Sequence, residues 1–273
     1  MAVFIFCAPV AVQAESPFGK LEVDVTSDYS HIRLRRQNNI LTMLFVRDSG
    51  EEVVESSVDL DQPHRQLVPY TSVMFTSYLH QPKPDQILVV GLGGGAMVHF
   101  LEKYDPDACI DVVEIDPVVS EIAAEHFGVG NAQNTNITIA DGVDYIRSAD
   151  TTYDVIYMDA FLKPSVDTDE TGVPLNLKTR KFYQQLQSKL SLHGVVVFNL
   201  NQQDQAGRDL RIIKSSFPQV YVYRVAKSTN LVVVASRSPQ RLPRATAVDR
   251  ARQLDVQMQA GYSFEAMARM LVR

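Results

Sequence analysis

Cysteine is scarce: Cys7 and Cys109 are the only two in 273 residues. That excludes a disulfide framework, a Cys-rich zinc site and a Cys-x-x-Cys redox pair. The six histidines are scattered, without a His-Glu-x-x-His or comparable ligand spacing, so no metal is expected. Basic charge is not in excess, since 26 Lys plus Arg stand against 32 Asp plus Glu, for a formal charge of -6. A grip on DNA or RNA requires many neutralised phosphates, so no nucleic-acid partner is expected, and a cationic substrate suits the balance better. No apolar run reaches the roughly 20 residues that span a bilayer, so no stable membrane insertion is expected. Repeats and low-complexity tracts are also absent. What the chain does have is 45% hydrophobic residues, enough to bury a substantial core and to exclude disorder as its main theme.

The start of the chain has two readings. From Ala2 to Ala14 only Gln13 is polar, and Val12-Gln13-Ala14 before Glu15 resembles the cleavage site of a signal peptide, although no Lys or Arg precedes the run. Residues 1–16 are therefore either a signal-like segment, implying a periplasmic or secreted protein, or an apolar first strand.

Beyond that, composition divides the chain into three. Residues 17–70 alternate apolar and polar positions in Leu21–Val25, His31–Leu34 and Leu41–Val46, with turns at Asn38-Asn39 and Asp48-Ser49-Gly50, and predict a small antiparallel β unit. Residues 71–236 follow a helical stretch, Tyr70–Leu79, and cycle strand and helix. Strands are expected at Ile87–Val90, Ile110–Ile115, Ile137–Ala140, Val155–Met158 and Gly194–Asn199, and helices at Gly95–Tyr104, Val118–Phe127 and Lys178–Leu190. Continuous apolar strands alternating with helices predict an α/β fold with a parallel sheet covered on both faces and ligands at the carboxyl ends of its strands. Two more strands, Val220–Val225 and Leu231–Ala235, close this part. Residues 237–273 carry seven Arg against Asp249, Asp255 and Glu265, with apolar residues at helical spacing, and predict surface helices that dock on the body or on a partner subunit.

Four strand ends carry chemistry. Gly91-Leu92-Gly93-Gly94-Gly95-Ala96 directly follows the strand Ile87–Val90 and opens a helix, so a ligand can lie against main-chain N–H groups. The spacing also satisfies a dinucleotide fingerprint, which keeps NAD open at this point. Glu114 ends the next strand, where a carboxylate can accept both hydroxyls of a ribose. Asp141-Gly142 ends the third, where a side-chain oxygen can take the exocyclic amine of adenine. Asp159 ends the fourth and faces the same crevice, while Asp154 reads as a strand-entry residue at the opposite edge.

Together these features resemble the Rossmann-like fold of class I S-adenosylmethionine-dependent methyltransferases, and the closing strand pair resembles that fold's terminal hairpin, which argues against NAD. With the β unit in front, residues 18–236 resemble the spermidine/spermine synthase family, the polyamine aminopropyltransferases, especially its divergent branch. The matching pieces are Ser27-Asp28-Tyr29, Tyr70, the Gly loop, Val113-Glu114-Ile115-Asp116, Asp141-Gly142, Tyr153-Asp154-Val155-Ile156 and Val173–Leu177.

The resemblance implies a homodimer that uses decarboxylated S-adenosylmethionine, or S-adenosylmethionine, with a small-molecule amine as acceptor and no metal. The Gly loop, with Gly91, Gly93, Gly94 and Gly95, would border the methionine-derived chain of this co-substrate, Glu114 would hold the ribose, and Asp141, followed by Gly142, the adenine. Asp159 would deprotonate and orient the amine, and Tyr29 and Tyr70 would line its site. Such an enzyme would be cytoplasmic. Departures from the family pattern concentrate on the amine side. Ala96 stands where the Gly loop carries an Asp, Leu162 stands where a second Asp follows Asp159, Tyr29-Ser30 replaces Tyr-Gln, and Tyr70-Thr71-Ser72 replaces Tyr-His-Glu. Charge-assisted bonds worth about 1.5–3 kcal/mol each are thereby lost. A methyltransferase on the same scaffold and a non-catalytic or exported nucleoside- or polyamine-binding protein are the alternatives. The acidic stretch Asp159, Asp167, Asp169 and Glu170 could attract a polycation or form a solvated loop.

Overall fold

Strands β1 (Lys20–Thr26), β2 (His31–Gln37), β3 (Ile40–Val46) and β4 (Glu52–Asp59) pair in sequence order as an antiparallel sheet in the computed structural model, which describes residues 16–162, 164–201 and 206–272. The signal-like stretch Ala2–Ala14 lies outside those residues. Alternation sets the two faces of this sheet. Ile32 and Leu34 are fully buried, while Arg33 and Arg35 turn outward to Glu52 at 3.1 and 2.8 Å. The pattern reading leaves out β4, and the reason is a bulge. Met43 pairs with Ser56 and Leu44 with Val54, so Glu55 is skipped in the ladder and the period of two is broken there.

The expected helix Tyr70–Leu79 is instead two short ones, α1 (Pro69–Met74) and α2 (Ser77–His80). Between them the bonds tighten to three-residue turns, with Phe75, Thr76 and Tyr78 N–H donating to Ser72, Val73 and Phe75 carbonyls.

The second sheet alternates strands β5 (Gln86–Val90), β6 (Cys109–Glu114), β7 (Thr135–Ile139), β8 (Tyr153–Met158) and β9 (Leu190–Asn201) with helices α3 (Ala96–Tyr104), α4 (Pro117–Phe127), α5 (Gly142–Ser148) and α6 (Arg180–Ser188). It ends with α7 (Ala206–Ser216), β10 (Gln219–Arg224) and β11 (Asn230–Ser236). Its spatial order is β10-β11-β9-β8-β5-β6-β7, parallel from β9 to β7 and antiparallel at the β11 and β10 end. This is the expected Rossmann-like α/β fold with a small N-terminal antiparallel sheet. Ile87 and Val89 of β5 enter one core cluster, shared with Ile32 and Leu41 of the first sheet, and Leu88 and Val90 enter the other, shared with Leu186 and Ile213. Burial on both faces is worth roughly 1.5–3 kcal/mol per side chain, which is why β5 reads as a continuous apolar run.

Helices α5 and α7 have no counterpart in the sequence reading. Ile146 is the only buried side chain in α5, and Asp209 and Ile213 are the only two in α7, too few to make a helical period visible. The expected helix Lys178–Leu190 becomes a 3₁₀ turn, Leu175–Lys178, followed by α6. The division falls at Thr179, whose Oγ1 accepts the Phe182 N–H at 3.1 Å and caps the helix. The tail forms α8 (Arg244–Met258) and α9 (Phe264–Ala268), which bury Ala251, Leu254, Phe264 and Met267. Their site is this chain's own body, where Arg250 Nη1 donates to the Leu79 carbonyl at 2.7 Å. Among the described residues no helix is long and apolar enough to cross a membrane, and no group of His, Cys, Asp and Glu could hold a metal ion.

From β5 the chain moves outward through β6 and β7, then returns to the other side of β5 as β8. The order therefore reverses between β5 and β8, and the crevice at their carboxyl ends is where a sheet of this kind binds ligands.

Candidate active site

A cavity of about 1050 Å³, counted with its open mouth, lies in that crevice beneath the N-terminal sheet. Glu114, Asp141, Asp159 and Tyr70 all line it, as do Gly91, Gly93 and Gly142. Gly94 and Gly95 are not among the lining residues. They are needed for packing: at Gly95, with φ +71°, a Cβ would lie 2.3 Å from Val129 Cγ2. Gly91, with φ +96°, has a different constraint, because a Cβ there would lie 2.3 Å from the Asp159 carbonyl oxygen. The loop after β5 can thus close onto the end of β8 only with glycine at this position.

Glu114 is the anchor of the β6 side. It is 8% exposed, and its Oε2 accepts the Leu92 N–H and its Oε1 the Asp116 N–H, both at 2.9 Å. Burial pushes its carboxyl above the ordinary range, and these main-chain donors oppose that shift. Asp116 in turn caps α4 through Val118 N–H at 2.9 Å and accepts the Ser27 hydroxyl, tying the β1–β2 turn to the tip of β6. Tyr29, from that same turn, does not line the cavity. Its neighbour Ser30 does, with its hydroxyl buried and unpartnered among the described residues. Asp141 caps α5: its Oδ1 accepts Val143 and Asp144 N–H at 2.7 and 3.2 Å, which leaves Oδ2 for other donors.

At the end of β8, Asp159 is held from both sides. Tyr70 donates its hydroxyl to Oδ2 at 3.1 Å, and Asn199 donates Nδ2 to Oδ1 at 2.9 Å. Asn199 is itself fixed by Asn230, whose Nδ2 donates to Asn199 Oδ1 at 2.7 Å. Burial raises the Asp159 carboxyl to about 6, while the bonds from Asn199 and Tyr70 hold it back from going higher. Tyr70 is pushed well above its usual range by burial and by the charges of Asp159 and Glu55.

Glu55, Asn199 and Ser30 are the residues that sequence reasoning missed. Asn199 did leave a signal, a lone amide inside the apolar run Val195–Leu200. Glu55 left a weaker one, a charge within Val53–Val58 that fits no alternation. Burial and the nearby Asp159 and Glu114 push Glu55 up to about 8, against the opposing charge of Arg47. Phe161, Leu162, Pro174 and Asn176, from the stretch after β8, also line the cavity. Asp169, one of the acidic stretch, is not a free charge. It pairs with Lys178 at 2.5 Å, and Lys178 also pairs with Asp209 at 2.5 Å, all three side chains nearly buried, so this triad pins the loop after β8 to α7.

Fold and site together define a class, an α/β protein whose acidic cavity opens at the switch point of a methyltransferase-type sheet. The family model of the spermine/spermidine synthase domain matches residues 69–234, and the chain belongs to that family. A polyamine aminopropyltransferase of Vibrio vulnificus is 30% identical over 212 residues, covering 76% of this chain and 69% of the relative. The eEF1A lysine and N-terminal methyltransferase of Homo sapiens is 35% identical over 165 residues, covering 58% of this chain but 24% of that much longer protein. Among solved structures, a spermidine synthase in complex with the transition state analogue AdoDATO superposes with a TM-score of 0.71. At 18% identity it covers 93% of this chain and 85% of its own, a likeness of fold.

Proposed function

We propose that the chain transfers an aminopropyl group from decarboxylated S-adenosylmethionine to an amine acceptor, with Asp159 as base. The observation that carries this reading is the charge of the cavity. Its described ionisable walls include Glu55, Glu114, Asp116, Asp141 and Asp159, with no Lys, Arg or His among them. Intact S-adenosylmethionine carries a carboxylate that would meet no cation among these described walls. The decarboxylated form lacks it and carries positive charge on both sulfur and amine. The 30% identity to an aminopropyltransferase over most of both chains supports the same choice.

In this reading Glu114 takes the ribose hydroxyls on the lone pairs left free by Leu92 and Asp116, Asp141 Oδ2 takes the adenine amine, and Ser30 offers its unpaired hydroxyl. Gly91 and Gly93 border the sulfonium-bearing chain. A protonated amine has no lone pair, so Asp159 accepts its proton as the nitrogen attacks the carbon beside sulfur. The new C–N bond forms, the C–S bond breaks, and methylthioadenosine leaves neutral. Acid–base help of this kind is worth roughly 100- to 10,000-fold. With its carboxyl near 6, Asp159 is ionised at neutral pH, and turnover falls as pH drops through that value. A methyltransferase is the second reading. It is favoured by the 35% identity to the human enzyme and by Ala96, which takes a carboxylate away from the Gly loop.

The test is a thermal-shift panel followed by turnover. A ligand at about 100 times its dissociation constant stabilises by roughly 2.7 kcal/mol. Decarboxylated S-adenosylmethionine and methylthioadenosine are expected to shift the melt more than S-adenosylmethionine, and NAD not at all. Methylthioadenosine release with putrescine, cadaverine, spermidine or agmatine supports the aminopropyl reading. Stronger binding of S-adenosylmethionine with no such release hands the site to the methyltransferase reading.

A further inference from the structure

We infer that Glu55, carried into the site by the bulge in β4, binds the ammonium group of the incoming amine at the junction of the main cavity with a second, narrower one. This rests on the amine-acceptor reading above. Consecutive residues of an unbroken strand point to opposite faces of a sheet, yet Glu55 and Ser56 both line the main cavity. The bulge makes that possible, because the ladder passes from Ser56 to Val54 and leaves Glu55 without a cross-strand partner. Bulges of this kind re-aim a side chain, and the side chain re-aimed here is a carboxylate.

The second cavity, about 270 Å³, runs between the N-terminal sheet and the loop after β8, with Val46, Val53, Pro164 and Thr171 among its walls. Phe45, Glu55 and Leu162 belong to both cavities, so Glu55 is the only acid at their junction among the described residues. An acceptor lying across this junction offers Asp159 its reacting nitrogen and leaves an apolar chain against Phe45 and Leu162. Its charge then meets Glu55. Chemically, this selects an aliphatic amine with a second cationic group. It also answers the loss at Ala96 and Leu162, since an acid missing from the two usual segments is supplied from a third.

Among the described residues, the charges facing Glu55 are Asp159 at the end of β8, Glu114 at the end of β6 and Arg47 after β3, and Arg47 is already paired with Glu51 at 3.3 Å. Burial first, and then two acids against one cation, keep the empty carboxyl mostly protonated at neutral pH. An arriving ammonium reverses the balance and releases that proton to solvent. Amine affinity therefore rises as pH increases through about 8, so long as the amine stays charged.

The experiment is calorimetric titration of putrescine into the full chain saturated with methylthioadenosine, at pH 7 in two buffers of different ionisation enthalpy. Wild type is expected to bind putrescine with net proton release. Glu55→Gln is expected to bind it about tenfold or more weakly, without proton release, while retaining its melting temperature and methylthioadenosine affinity. Glu55→Asp, which keeps the charge, is expected to recover part of the loss. Equal putrescine affinity in wild type and Glu55→Gln overturns the assignment, as does wild-type binding without proton release or no binding at all. Failure of the adenosyl reading is separable: it shows as no methylthioadenosine binding, and the same putrescine titrations on the unliganded chain then still judge Glu55.

Discussion

At the β6 end of the cavity the carboxylates are held by main chain close to them in sequence, whereas at the β8 end they are held, or left unheld, by side chains from remote segments. Glu114 accepts N–H groups from residues 22 and 2 positions away, and Asp141 from 2 and 3. Asp159 is bonded by Tyr70 and Asn199, 89 and 40 positions away, and Glu55 comes from a different sheet. Backbone amides cannot rotate out of place, so the carboxylates of the first end are held in preset positions. The second end is partly dehydrated: burial raises Asp159 to about 6, and burial together with the neighbouring acids Asp159 and Glu114 raises Glu55 to about 8. One end is suited to holding a nucleoside and the other to handling a proton and a cation.

Asp159→Asn tests this division most severely. It keeps size and most hydrogen bonding but cannot take a proton at neutral pH, so turnover with a competent amine is expected to fall by about 100-fold or more. Methylthioadenosine affinity, which the proposed function assigns to the other end, should barely move. Equal turnover in mutant and wild type would sink the base assignment. If both quantities fell together, the two ends would not be separable.

Glu114→Ala is the matching change at the β6 end and should reverse the pattern. Sequence alone suggests a strand-tip group whose loss leaves the fold intact. The structure makes it also the anchor of Leu92 and Asp116 N–H, and each buried donor left unpaired costs about 1–3 kcal/mol. Calorimetry should show loss of most methylthioadenosine binding, and a thermal melt should show a lower midpoint. An unchanged midpoint would mean that the Gly loop holds its shape without Glu114.

How much of this was legible in sequence follows the same division. The β5–Gly loop–β6 side could be read because its chemistry is local: an apolar strand, a glycine run and an acid at the next strand's end occupy one stretch of chain. Asp159 could be placed for the same reason, by the apolar run before it. Its partners could not, since nothing near Asn199 or Tyr70 in sequence announces that they converge on one carboxyl. Glu55 was hidden twice, by distance and by a bulge that removes the alternation used to find strands. Tyr29 was expected at the site, but the turn it sits in points its neighbour Ser30 there instead.

Asn199→Leu asks whether a remote partner really sets the ionisation at the β8 end. The amide lowers the Asp159 carboxyl by hydrogen bonding to its charged form, so removing it should raise that carboxyl further above 6. An acid is an effective base only above its own pKa, so the acidic limb of the pH–rate profile should move to higher pH. Turnover would then be depressed at pH 6 to 7 and largely recovered by about pH 8.5. A uniform loss across the profile would make Asn199 a packing residue alone.

The smallest effect is expected at Asp141, where two roles share one side chain. Oδ1 caps α5 through Val143 and Asp144 N–H, which leaves Oδ2 for other donors at the cavity wall that Asp141 lines. Asp141→Ala removes both and should cost about 0.5–2 kcal/mol of stability through the lost cap, as well as weakening adenine-containing ligands. Asp141→Ser separates them, because a serine hydroxyl caps nearly as well but is too short and too weak an acceptor to replace Oδ2. Its melt should lie close to wild type while methylthioadenosine affinity drops by a few-fold, in line with one net hydrogen bond of about 1 kcal/mol. If Asp141→Ser binds methylthioadenosine as wild type does, the residue is a helix cap only, and the β6 end recognises the ribose without reading the base.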